Sequence, residues 1–201
     1  MKVIGIIGGI GAGKSTIVSI MNELTPIKII SADLIGHQVL RKGNKAYEPV
    51  VNTFGDIILS EDGEIDRKKL GDIVFSSEHL VEVLNKITHP IIREEIELLI
   101  EEYKLNYKEQ HIILEAALLI ESGLIDLTDV VIAVHAEVGK RTNRVSNRDN
   151  ISLVQISARM NAQKKWDELK NHANYIIDNN NGLDCTRSQV VEILKVLKEE
   201  L

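Results

Sequence analysis

One cysteine, Cys185, occurs in 201 residues. That excludes an internal disulfide and a multi-cysteine metal site, and it points to a reducing, cytoplasmic setting. No run approaches the ~20 apolar residues of a membrane span. The nearest, residues 112–120, is short and holds Glu115. The apolar run at the start is five residues long and ends in a glycine-rich loop, so no signal peptide is expected. Positive charge is in deficit: the formal net charge is -6, which argues against nucleic acid as a partner. There is no internal repeat and no low-complexity linker. What is present is 44% hydrophobic content, normal for a globular protein, at a length that suits one α/β domain with room for insertions.

The chain is organised around Gly8-Gly9-Ile10-Gly11-Ala12-Gly13-Lys14-Ser15-Thr16, which matches G-x-x-x-x-G-K-[ST]. An apolar run precedes it at residues 3–7, and a helical pattern follows at 14–24. Strand, glycine-rich loop and helix is the context the motif needs. Four glycines (Gly8, Gly9, Gly11, Gly13) let backbone N–H groups turn inward, and the helix N-terminus adds positive potential. Gly11, Ala12, Gly13, Lys14, Ser15 and Thr16 are the expected phosphate-binding residues. Lys14 can reach the β- and γ-phosphates, and the Ser15 hydroxyl can ligate Mg²⁺. A plain glycine-rich turn is the bland alternative. A dinucleotide fingerprint is not satisfied, because Gly9 and Gly11 are followed by Lys14. A nucleoside triphosphate is the expected ligand.

Further strands are expected at 27–30, 110–115, 129–134 and 175–178, and helices at 34–42, 47–54 and 183–201. Between residues 60 and 108 no sheet strand is evident. Three helices are expected there, at 66–75, 77–87 and 90–103, with Pro90 in the first turn of the last. Residues 138–165 carry seven basic residues and one acid, Asp149, inside an otherwise acidic chain. The spacing therefore predicts a core (1–58, 109–136, 170–201), a helical substrate-binding insert (about 59–108) and a helical lid (about 137–169). The fold class is α/β: a parallel five-stranded P-loop sheet flanked by helices.

Phosphoryl transfer needs positioned Mg²⁺, cations over the transferred group and a carboxylate near the acceptor hydroxyl. Asp33 is the candidate for that carboxylate, because it lies just past a strand's end. Its other reading is a helix N-cap or Asx-turn. Glu115 closes Ile112-Ile113-Leu114-Glu115, a hydrophobic run plus carboxylate suited to Mg²⁺; Glu121 is a weaker candidate. Arg141, Arg144 and Arg148 stand at i, i+3, i+7 on one helical face and suit a lid over triphosphate. Arg159 belongs to the return helix. His89, at an expected helix start, reads on its own more readily as a cap or packed turn residue, and Arg67 as a surface arginine.

Taken together these residues resemble the dephospho-coenzyme A kinases. The landmarks are the glycine loop, Ala32-Asp33, Phe54-Gly55, Gly63-Glu64-Ile65-Asp66-Arg67, Thr88-His89-Pro90, Leu118-Leu119-Ile120-Glu121, Arg144 with Arg148-Asp149, Arg159 with Gln163, and Ile177-Asp178-Asn179. The resemblance implies transfer from ATP to the ribose 3'-hydroxyl of dephospho-CoA. It gives Asp33 the role of base or orienter of that hydroxyl, beside Lys14 and Arg144 as catalytic cations. It sets Arg67 and His89 on the CoA side, and Arg148 in the ATP-binding lid. Departures from the family pattern are Ser31, His37, Ala117 and Asn174. Another small-molecule kinase, with a nucleotide or sugar-acid acceptor, is the main alternative. A GTPase fits poorly: Asp33-Leu34-Ile35-Gly36 spells D-x-x-G, but no N-K-x-D motif exists. A catalytically silent nucleotide-binding module is the third possibility, and intact Lys14, Ser15 and Asp33 argue against it.

Overall fold

A computed structural model describes residues 1–108, 110–149, 151–161 and 163–199. The expected core boundary at 109, lid positions 150 and 162, and the end of the tail helix at 200–201 lie outside the described residues. The chain forms two compact units, one of residues 1–30 with 102–201 and the other of residues 31–101.

The first unit is built on a five-stranded parallel sheet. Strands β1 (Val3–Ile7), β2 (Ile27–Ser31), β3 (His111–Glu115), β4 (Val130–His135) and β5 (Tyr175–Asp178) lie in the order β2-β3-β1-β4-β5. β1 is central and fully buried, as its unbroken apolar run requires. It pairs with β3 in the register Ile6↔Glu115 and with β4 in the register Ile7↔Ala133. Its neighbours on both sides come from distant parts of the chain, so the loop at its carboxyl end opens where such sheets leave a crevice. Helix α1 (Lys14–Leu24) and helix α9 (Leu183–Glu199) supply Ile17, Met21, Leu194 and Leu197 to a core shared with Ile4, Ile6, Ile113 and Ile132. Each such side chain contributes about 1.5–3 kcal/mol when fully buried. Pro26 follows the end of α1, where the Thr25 N–H bonds the Met21 carbonyl. Helices α6 (Val138–Asp149), α7 (Leu153–Asn161) and α8 (Trp166–Leu169) complete this unit.

The second unit is helical, with α2 (Ala32–Val39), α3 (Tyr47–Phe54), α4 (Arg67–Val74) and most of α5 (Glu78–Asn106). Tyr47, Val50, Ile58, Ile65, Leu70 and Val74 form its own core. An isolated bridge between Leu59 and Ile65 closes the turn at Gly63. Two of the helices expected here are one. α5 runs through Pro90 without a break, so the expected boundary at Thr88–Pro90 is wrong. An interior proline costs a helix about 3 kcal/mol. Buried Thr88, Ile96 and Ile100 lie on both sides of it, and continuous packing outweighs the lost hydrogen bond. Thr88 Oγ1 also donates to the Leu84 carbonyl at 2.9 Å within the same turn.

His111 opens β3 almost fully buried, and its Nδ1 accepts the Lys2 backbone N–H at 3.3 Å. Burial, the N-terminal ammonium and Lys198 push its pKa below the usual histidine value. The unfolded chain therefore takes up this proton at a higher pH than the folded one. The stability His111 contributes is present above about pH 6.5 and is lost as pH falls below it. Between pH 7 and 5 the melting temperature should fall further in the native chain than in His111→Gln. Equal slopes in the two proteins would rule His111 out as a source of acid sensitivity.

Candidate functional site

The glycine loop sits between the end of β1 and the start of α1, as its motif requires. Gly11 and Gly13 have φ of 76° and 105°, in the left-handed region that favours glycine. Space is limiting as well. A Cβ on Gly11 would lie 2.5 Å from the Arg141 carbonyl oxygen, and one on Gly13 would lie 2.1 Å from Asn179 Nδ2. The loop is thus packed against α6 on one side and the end of β5 on the other.

Those neighbours hold the loop by its carbonyls. Arg141 Nε donates to the Ile10 carbonyl at 2.9 Å. Arg144 Nη1 donates to the Gly11 and Ala12 carbonyls at 3.3 and 3.2 Å, and its Nη2 to the Asn179 carbonyl at 2.9 Å. Gln163 Oε1 accepts the Ile10 N–H at 2.7 Å. Lys14 folds back over the loop, and its Nζ donates to the Gly8 carbonyl at 2.8 Å. Arg141 and Arg144, expected to face triphosphate, here grip the loop that would bind it. Burial lowers the Arg141 pKa from its usual value, but an arginine stays charged regardless.

Arg148 lies apart from this contact. It forms a two-bond pair with Asp149 at 2.6 and 2.9 Å, and Arg159 reaches the same carboxylate at 3.5 Å. The hydrogen bond from Arg148 holds the Asp149 carboxyl below the usual carboxylate range. Ser15 is in the first turn of α1, and Thr16 follows it. Glu115 ends β3 half-buried, in register with Ile6. Glu121 lines a crevice with Gly8, Gly9, Gln163 and Lys164. A cavity of about 190 Å³ lies on the other flank of the loop, bordered by Gly9, Ala12, Arg141, His135 and Trp166. His135 and Trp166 meet there with ring centroids 4.5 Å apart and planes tilted by 44°.

In the second unit, Asp33 occupies the first turn of α2, directly after β2. It is not the N-cap; Ser31 is, accepting the Leu34 N–H at 3.4 Å. One turn on, His37 has its pKa lowered by burial and then by the Arg67 charge, with Asp33 partly offsetting both. Arg67 opens α4 behind its cap Asp66, which accepts the Lys68 and Lys69 N–H groups at 2.9 and 3.2 Å. Asp33, His37 and Arg67 therefore share one electrostatic neighbourhood. His89 lies inside α5, not at a helix start, and burial lowers its pKa.

Asn179 enters the sequence reading only as a landmark of the resemblance, with no role given to it. It stands just past β5, and its Nδ2 donates to the Ala12 carbonyl at 2.8 Å. A polar residue one step beyond a strand end is the signal that singled out Asp33, and it was available here too.

Comparison with known proteins bears on the acceptor. A family model described as "Dephospho-CoA kinase" matches residues 2–184. The dephospho-CoA kinase of Bacillus anthracis is 39% identical over 193 residues, 96% of each chain. That of Carboxydothermus hydrogenoformans is 38% identical over 198 residues, covering 98% of this chain and 95% of its own. Among solved structures, dephospho-CoA kinase from Campylobacter jejuni superposes with a TM-score of 0.71 at 31% identity, over 99% of this chain and 98% of that one.

Proposed function

The chain belongs to the dephospho-CoA kinase family, and from that premise we propose which of its own residues carry the ATP-dependent phosphorylation of dephospho-CoA to CoA. The observation that carries the assignment is the way the glycine loop is held. In a trans peptide the C=O and the following N–H point opposite ways. With the Ile10 carbonyl turned to Arg141, the Gly11 N–H is turned away from α6. Outward carbonyls and inward N–H groups are what a phosphate cradle needs. Gly11, Gly13, Ser15 and Thr16 supply that cradle, with Ala12 between them holding the loop's turn through its N–H bond to the Gly9 carbonyl at 3.0 Å, and Lys14 supplies the cation for the transferred phosphoryl group. Arg144 steadies the loop and, with Arg148, adds charge against the triphosphate.

Mg²⁺ fits the side chains present. Among the described residues no three or more of His, Cys, Asp and Glu gather into a metal cluster. One hydroxyl, Ser15, and one carboxylate, Glu115, suit an ion that keeps several waters and takes phosphate oxygens as ligands. When bound, it neutralises charge on the β- and γ-phosphates. Asp33 is assigned to the acceptor's 3'-hydroxyl, orienting it and taking its proton, because Ser31 relieves it of the capping role. Arg67 and His89 are assigned to the CoA side. The substrate pair supports a cytoplasmic site of action. No described helix is long and apolar enough to cross a membrane.

A coupled ADP-release assay tests the assignment with ATP and dephospho-CoA, beside nucleoside monophosphates. ADP should appear with dephospho-CoA, and the new phosphate should resist 5'-nucleotidase treatment and yield to a 3'-nucleotidase. Turnover with a nucleotide and none with dephospho-CoA would sink it.

A further inference from the structure

The geometry points to Asn179 and Thr186 as positioning residues for ATP, a buried pair that sets the last peptide of the phosphate loop. The inference rests on the loop being the ATP site. Polar side chains are rare in this interior, and these two are 6% and 0% exposed. The Asn179 backbone N–H donates to the His135 carbonyl at 2.8 Å, which anchors the residue to the end of β4. Its Oδ1 accepts the Thr186 hydroxyl at 2.9 Å from α9. Its Nδ2 is thereby aimed at the Ala12 carbonyl, at 2.8 Å. The Ala12 carbonyl can only accept, so the NH₂ end of the amide must meet the loop, and the Thr186 hydroxyl holds the side chain there by donating to Oδ1.

The consequence lies in the Ala12–Gly13 peptide. Its C=O is held toward Asn179, so its N–H points to the opposite side of the loop. Gly13 tolerates a wide range of φ, and with only the longer Arg144 Nη1 bond at 3.2 Å left on that carbonyl the peptide could turn over more readily. A flipped peptide would present a carbonyl where phosphate oxygens need a donor. Asn179 also fills the space beside Gly13, where a Cβ would lie 2.1 Å from Nδ2. The Thr186 hydroxyl donates to Asn179, and it is through Asn179 that it acts on the loop.

A purely structural pair would affect melting temperature and nothing else. The test therefore reads nucleotide affinity apart from stability. A fluorescent ATP analogue is titrated into the full chain without acceptor, and thermal melts are run in parallel. Asn179→Ala should weaken analogue binding about tenfold, the equivalent of one hydrogen bond. Asn179→Asp, equal in size but set against the Ala12 carbonyl, should weaken it further. Thr186→Val should weaken it several-fold, and Thr186→Ser, which keeps the hydroxyl, should restore it to within about twofold. The KM for dephospho-CoA should stay level. Lower melting temperatures with analogue affinity unchanged in Asn179→Ala and Thr186→Val would overturn the proposal. If Asn179→Ala does not fold, the Thr186→Val and Thr186→Ser pair decides. Lack of turnover with dephospho-CoA in the native chain would instead overturn the reading beneath it, and analogue binding would still report on the loop.

Discussion

Lys14→Met should lower kcat by about 10²–10³-fold, the loss typical of removing one preorganised donor to developing charge. The fold should survive. In this structure the Lys14 ammonium bonds the Gly8 carbonyl at 2.8 Å and is not enclosed in the core. Methionine keeps the stem length and helix propensity while removing the charge. ATP affinity should weaken by a smaller factor, because the backbone N–H groups of the loop remain. Lys14→Arg should rescue poorly. A planar guanidinium differs in shape from a compact ammonium. It would also be placed beside a loop that Arg141 and Arg144 already pack against. Steady-state kinetics with dephospho-CoA, together with analogue titration, separate the two effects. A Lys14→Met enzyme within tenfold of the native kcat would remove Lys14 from the transfer step.

The sheet was legible because each strand is an apolar run with a clear stop. β1 and β5 fall on the expected residues, and α1 begins at Lys14 because Gly13, at positive φ, precedes it. α5 was not legible at Pro90. A proline marks a local cost, and only the packing of Thr88, Ile96 and Ile100 shows that the cost is met. At the site, spacing placed Arg141 and Arg144 on one face of α6, but spacing carries no information about what a face meets. Their partners, Ile10, Gly11 and Ala12, lie more than a hundred residues earlier in the chain. The same distance hid what Asn179 does, since it reaches back to Ala12. Arg148 differs in that its partner Asp149 is adjacent, but the helical spacing set Arg148 with the triphosphate face and did not show the pair. Local chemistry could be read from the chain; pairing could not.

Asp33→Asn should lower kcat by about 10²–10⁴-fold, the range for losing a positioned acid or base, and leave ATP affinity within about twofold. The substitution keeps volume and shape and removes the charge, and with it the ability to accept a proton. It leaves the capping bond from Leu34 to Ser31 in place, so α2 should not unravel. Its second effect is on His37. Asp33 is the one charge raising the His37 pKa, against burial and Arg67. Removing that charge should lower the His37 pKa further, and an NMR titration of its ring protons would show a shift to lower pH. The two measurements guard each other. If the His37 shift appears while kcat stays near the native value, Asp33 is a local charge and no catalytic group. If kcat falls with the melting temperature unchanged, the loss belongs to the proton that Asp33 takes from the acceptor hydroxyl.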